Sequence, residues 1–199
     1  MSARSEMVRK RIIAVARDLF HKKGYSKTTM EDIAKALNKG KSSLYYYFRS
    51  KEDIFAALIE SESEKMQNEL LQVINKEADT KTLLRDYITA RMQLSDNIAE
   101  YYRNISDEYL SVYTIIQKFR KSFDEFEIMA LKRILLRGIE TGEVRIRLKE
   151  LDAVSYGIAS AIKGLEIPFF VETRYTYFKT RLNILLDLLF YGILSERKN

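Results

Sequence analysis

Apolar residues return every three or four positions along most of the chain, and that period predicts helices. Val8, Ile12, Val15, Ala16, Leu19 and Phe20 form one stripe, so a first helix is expected over about Glu6 to Lys23, stopped by Gly24. Thr28, with Glu31 three residues on, has the spacing of a capped start, and a second helix follows over Thr29 to Leu37 with Met30, Ile33, Ala34 and Leu37 inward. Asn38-Lys39-Gly40 forces a reversal, because Asn and Gly accept the left-handed conformation. A third, short helix spans Lys41 to Tyr47, anchored by Leu44 and Phe48, which leaves Lys41, Ser42, Ser43, Tyr45, Tyr46 and Tyr47 on the remaining arc. Ser50 caps a fourth helix reaching about Ile74, with Asp53 at the capping-box position.

Beyond "NKEADTK" a fifth helix is expected from about Thr82 to Arg103. A long seventh helix stops at Gly142, the eighth is "RLKELDAVSYGIASAIKGLEI", and the ninth covers about Thr173 to Leu194. One proline, seven glycines and the lack of β-branched runs between turn residues agree with an all-α fold of about nine helices.

Composition then removes whole classes of chemistry. With no cysteine in the chain, disulfides, thiolate catalysis and cysteine zinc sites are excluded, and a reducing cytoplasm is the expected compartment. The N-terminus is basic but amphipathic, so it is not read as a secretion signal. The longest apolar run, Ile184 to Leu194, contains Asp187 and falls short of the ~20 residues a spanning helix needs, so no membrane partner is expected.

The net charge of +6 is unevenly placed. Residues 1–51 carry 13 Lys and Arg against 4 Asp and Glu, a net of +9, whereas the remaining 148 residues net −3. Concentrated cations are what a polyanion requires, and a solvated basic face is the alternative. Two helices joined by a tight turn, the second short, basic and rich in hydroxyls, match the helix-turn-helix geometry that places a helix in the DNA major groove. Hydroxyls donate to phosphates or base edges, tyrosine rings touch thymine methyls, and lysines release counterions. Tyr45 and Tyr47 are either such contacts or half-buried struts.

Residues 8 to 58 resemble the DNA-binding domain of TetR-family transcriptional regulators. The likeness lies in "ARDLFHKKGYSKTTMEDIAKAL", with Phe20, Gly24, Tyr25, Thr28, Ile33 and Ala34, and in "SSLYYYFRSKEDIF", with Leu44, Tyr45, Tyr47, Phe48, Lys51 and Phe55. Beyond this first quarter, only the helical layout and the "TGEVR" turn at Thr141 to Arg145 remain similar. The resemblance implies that Thr29, Lys41, Ser43, Tyr45, Tyr46 and Tyr47 face double-stranded DNA, with Ser42 on the same arc, and that Lys51 holds a phosphate at the start of the fourth helix. Asn38, Lys39 and Gly40 depart from the family pattern, so a looser turn is expected, with Lys39 adding a phosphate contact.

The resemblance also implies a division into a DNA-binding domain, residues 1–51, and a helical effector-binding and dimerisation domain, residues 52–199. It further implies a cavity for a small-molecule effector of unknown identity, for which Tyr87, Arg91, Tyr101, Tyr113, Phe123 and Phe126 are the candidate lining residues. Arg91, Gln93, Asn97 and Gln117 supply its polar groups if they point inward. Aromatic residues at helical spacing serve equally as core. Ala153, Gly157, Ala161 and Gly164 form a small-residue stripe on the eighth helix, and "LNILLDLLFYGIL" is apolar around most of the ninth. A homodimer through helices 8 and 9 is therefore expected, since paired half-sites need paired readers.

The resulting reading is a homodimeric repressor, released from an inverted-repeat operator when an effector binds. The alternative is an architectural or accessory DNA-binding protein with a protein partner and no effector. Catalysis is not expected, because His21 is the sole histidine and no nucleophile, metal set or Gly-rich phosphate loop accompanies it; no cofactor is expected either.

Overall fold

The computed structural model describes residues 3–102, 120–171, 182–184 and 186–191, with side-chain surroundings over 3–95, 120–165 and the last two segments. The expected sixth helix lies outside this range, as do Tyr113, Gln117 and the side chains of Asn97 and Tyr101. Helices are numbered below as they occur among the described residues. They are α1 (Ala3–Lys23), α2 (Met30–Ala36), α3 (Lys41–Tyr47), α4 (Lys51–Ile74), α5 (Thr80–Tyr102), α6 (Lys121–Glu140) and α7 (Leu151–Val171). A 3-10 turn at Leu148–Glu150 precedes α7, and residues 182–184 and 186–191 are helical. The all-α expectation holds, and no described helix is long and apolar enough to cross a membrane.

Two compact units divide the chain: one takes in Met1–Glu64 with Glu100–Lys121, the other Lys65–Ala99 with Ser122–Asn199. In the first, the predicted apolar stripe of α1 is buried at Ile12, Ala16 and Phe20, and it meets Met30, Ile33, Ala34, Leu44, Phe48, Ile54 and Phe55 in one core. Phe20, Tyr25 and Phe55 stack as a triangle, with centroids 4.9 to 5.6 Å apart. Gly24, at φ +84°, closes α1 by donating its amide N–H to the Phe20 carbonyl.

The capped start of α2 is displaced by one residue from the expectation. Thr29 is the cap, accepting from the Asp32 amide while the Asp32 carboxylate accepts from the Thr29 amide. Thr28 is buried instead, and its hydroxyl donates to the Gly24 carbonyl at 2.8 Å. Burial separates the two threonines: the enclosed Thr28 hydroxyl is aimed at the Gly24 carbonyl, and the exposed Thr29 hydroxyl is left to accept from the Asp32 amide.

The second unit is built around Leu70, Leu83, Leu84, Tyr87, Ile88, Met92, Leu131, Ile134, Leu135 and Ile162, with Leu182, Leu186 and Phe190 against them. The "TGEVR" turn ties α6 to α5. Gly142 takes φ +74°, Glu143 accepts from the Thr80 amide at 2.7 Å, and the Gly138 backbone lies so close to Thr80 and Val144 that a Cβ there would sit 2.4 Å from Val144. Lys163–Asp124 and Arg85–Asp187 add ion pairs at 2.6 and 3.0 Å.

A candidate nucleic-acid interface

The reversal between α2 and α3 is closed, contrary to the looser turn expected. Asn38 adopts φ +52°, its amide donates to the Lys35 carbonyl, and the Lys39 amide donates to the Ala34 carbonyl, both at 3.0 Å. These two bonds form a Schellman motif with asparagine in the left-handed position usually given to glycine. The turn leaves Lys39, Gly40, Lys41 and Ser42 exposed. Gly40 then caps α3 with extended backbone and no side-chain bond.

Only Leu44 is buried within α3, and Phe48 follows it into the core. The rest of the helix faces outward. Tyr46 is 81 % exposed and Tyr45 44 %, while Ser43 and Tyr47 are half-buried. Tyr46 and Tyr47 meet edge to face, with centroids 5.0 Å apart. The structure therefore brings Lys39, Lys41, Ser42, Tyr45 and Tyr46 together as one exposed cationic, hydroxyl-bearing face. That chemistry suits phosphate oxygens and major-groove edges.

Two expected contacts are tied to other partners. The Thr29 hydroxyl donates to the Asp32 carboxylate at 2.8 Å, which spends its one proton within the α2 cap. The Lys51 ammonium donates to the Tyr25 carbonyl at 2.8 Å, lies 3.4 Å from the Ser26 carbonyl, and sits 4.2 Å over the Tyr25 ring. Tyr25 in turn donates to Glu52 at 3.0 Å. The Glu52 carboxyl is held below its usual range, chiefly by its own backbone amide, with Tyr25 and Ser50 adding to it. Lys51 thus fastens the turn after α1 to the start of α4.

Sequence reasoning missed Arg9. Its guanidinium donates to the Tyr47 carbonyl at 3.2 Å and stacks 4.1 Å over the Phe48 ring, so a residue of α1 touches the end of α3. Arg9 also borders an open groove of about 450 Å³, whose other charged residues are Arg49, Asp53 and Glu60. Arg9 lies three positions before Ile12, at the margin of the α1 stripe, and nothing in the local pattern marks it out.

The ligand candidates lie in the second unit. Tyr87, Arg91 and Phe123 are buried and Phe126 is partly buried, whereas Gln93 points outward. Arg91 donates to Glu127 at 2.8 Å, donates to Ser95, and stacks 4.7 Å over Phe123. Glu127 was missed as well, although its position four residues after Phe123, on the stripe leading to Ala130, Leu131 and Ile134, is the signal for it. The Tyr87 hydroxyl is enclosed without a hydrogen-bond partner, and burial, with Glu127 second, raises its pKa. Among the described residues, no cluster of His, Cys, Asp or Glu is placed to hold a metal ion.

Residues 12–58 match the family of bacterial regulatory proteins, tetR family. The transcriptional regulator QacR of Staphylococcus aureus is 30% identical over 161 residues, covering 78% of this chain and 82% of QacR. The chain belongs to the TetR family. Its α1 to α3 form the helix-turn-helix module of a TetR regulator, a DNA-binding protein without catalytic activity. IcaR, a negative regulator of a biofilm operon in Staphylococcus aureus, is 31% identical over 135 residues, covering 61% of this chain and 73% of IcaR. A crystal structure of a transcriptional regulator from Cytophaga hutchinsonii superposes with a TM-score of 0.76 at 25% identity, covering 94% of this chain and 98% of that one.

Proposed function

We propose that this TetR-family regulator is a cytoplasmic homodimer that represses transcription from an inverted-repeat operator and is released when a small molecule binds its C-terminal domain, residues 52–199. The observation that carries the reading is the exposed face of α3, where Lys41, Ser42, Tyr45 and Tyr46 stand clear of the core. Lys39 and Lys41 supply the counterion-release component, and the Lys51 ammonium offers its remaining N–H to a phosphate. Ser43 and Tyr47, half-buried on α3, flank that face, and Thr29 is exposed at the start of α2. Repression is supported by the likeness to IcaR, a negative regulator.

Dimerisation is supported by an exposed stripe on α7, Ala153, Tyr156, Gly157, Ala161 and Gly164, and by Ile184, Leu188 and Tyr191 of the last helical segment, all open to solvent. The buried set of Tyr87, Arg91, Ser95 and Glu127 with Phe123 supports an effector site, because an enclosed hydroxyl lacking a partner has a hydrogen bond to give. Release is then a population shift, in which the effector lowers DNA affinity only by its preference for the non-binding state.

Selection of purified protein against a random duplex pool tests the reading. An enriched inverted repeat is expected, and retention without a motif would refute sequence reading by a pair of α3 helices. Tyr46→Ala should weaken that operator while leaving the thermal midpoint unchanged. Gly157→Leu should yield a monomer by light scattering, since the fold of one chain leaves its side chain free space while a helix packed closely on this stripe would not.

A further inference from the structure

The recognition helix α3 has seven residues, a length at which a helix is not stable by itself and takes its direction from whatever holds it. Its start is weakly held, because Gly40 contributes no side-chain cap and its neighbours Lys39 and Lys41 are exposed. Its middle is pinned at one point, Leu44. The end is held differently. Phe48 is buried, and the Tyr47 carbonyl, one of the last-turn acceptors without an intrahelical partner, receives the Arg9 guanidinium from 38 residues upstream. The same guanidinium lies over the Phe48 ring, 4.1 Å from its centroid, and places positive charge at the negative end of the helix dipole. A planar group that donates and stacks at once is a property of arginine and not of lysine.

We propose that Arg9 is a positioning residue for sequence reading: it fixes the C-terminal end of α3, and so the angle at which Tyr45 and Tyr46 meet the base edges, without itself contacting DNA. The contacts it makes are within the protein, one N–H to the Tyr47 carbonyl and the guanidinium over the Phe48 ring. Losing Arg9 therefore disturbs the part of binding that depends on base sequence and spares the part that depends on phosphate charge. The inference rests on the operator reading above, and the controls separate the two.

The experiment compares wild type, Arg9→Ala and Arg9→Lys on the selected operator and on an unrelated duplex of equal length, across a salt series, with thermal unfolding recorded for each protein. Arg9→Ala should lose about tenfold in operator affinity, the scale of one misread base pair. Binding to the unrelated duplex and the slope of log K against log salt should stay at wild-type values. Arg9→Lys, which keeps the donor and loses the stack, should fall between. Adding Gly40→Ser to Arg9→Ala should recover part of the loss by capping the other end of α3; a Cβ at Gly40 meets only the Ser42 hydroxyl, at 3.8 Å.

Two results would overturn the proposal. One is unchanged operator affinity in Arg9→Ala. The other is equal weakening on both duplexes with the slope reduced by about 0.9, the mark of a lost phosphate contact. Should Arg9→Ala fail to fold, Arg9→Lys carries the same test, and an equal loss on both duplexes sinks the idea. If wild type does not distinguish the duplexes, the operator reading fails first, before Arg9 is in question.

Discussion

Residues 3–64 bury one polar side chain, Thr28, whereas the second unit encloses Arg91, Glu127, Ser95, Thr80 and Ser155. In the reading segment, Lys39, Lys41 and Arg49 are exposed, Arg9 and Lys51 donate to main-chain carbonyls, and Arg17 pairs with Glu62 at 3.6 Å. In the body, a guanidinium and a carboxylate, each 1 % exposed, neutralise one another inside the core. The difference teaches where charge serves binding and where it specifies packing. Exposed charges cost little to keep and remain available to phosphates. A buried pair gains little over an apolar substitute, yet neither member can be left alone.

The comparison breaks most sharply at Glu127. Glu127→Ala leaves Arg91 charged and enclosed, so denaturant unfolding should show a loss of about 3–5 kcal/mol. Replacing both partners, Arg91→Met with Glu127→Leu, should recover most of it. The exposed pair Lys23–Asp32, at 3.1 Å, sets the contrast: Lys23→Ala should cost about 0–1 kcal/mol. Equal losses in the two regions would dissolve the distinction.

Gly138→Ala comes next, with an expected cost of about 1–3 kcal/mol from overpacking against Val144 and Thr80, read from the same unfolding curves. Thr29→Ala in the reading segment should cost about 1 kcal/mol through loss of the α2 cap. The smallest effect is one of pH. The Thr29 hydroxyl first, then the Thr29 amide and Lys23, hold the Asp32 carboxyl at about 2 against an ordinary 3.8. A carboxyl depressed in the folded state stabilises above its unfolded value and loses that contribution as pH falls through about 2. Unfolding of Asp32→Asn should therefore track wild type at acid pH and diverge from it above about 4.

The apolar period made α1 and α4 legible nearly to their ends, because each buries a long stripe whose spacing survives in the sequence. The one-residue slip at Thr28 and Thr29 shows the limit. Two adjacent threonines offer the same chemistry, and only the enclosed Gly24 carbonyl decides which one caps. In the site, the exposed arc of α3 followed from the Leu44 and Phe48 anchors. The engagement of Lys51 with Tyr25, and of Arg9 with Tyr47, did not, since both bonds join residues more than 25 positions apart and leave no local pattern. Glu127 stood in view on an apolar stripe; its partner Arg91 lay on another helix.

The brevity of α3 also bears on information. Seven residues at 1.5 Å each make a rod of ~10 Å, which along a duplex rising 3.4 Å per base pair spans about three pairs. With four distinguishable pairs at each position, a rod of that length resolves about one sequence in 64. Any chromosome repeats such a word thousands of times. An address unique in a genome must therefore be spelled with letters that α3 does not touch, through a second reader or through how readily the duplex bends between the words.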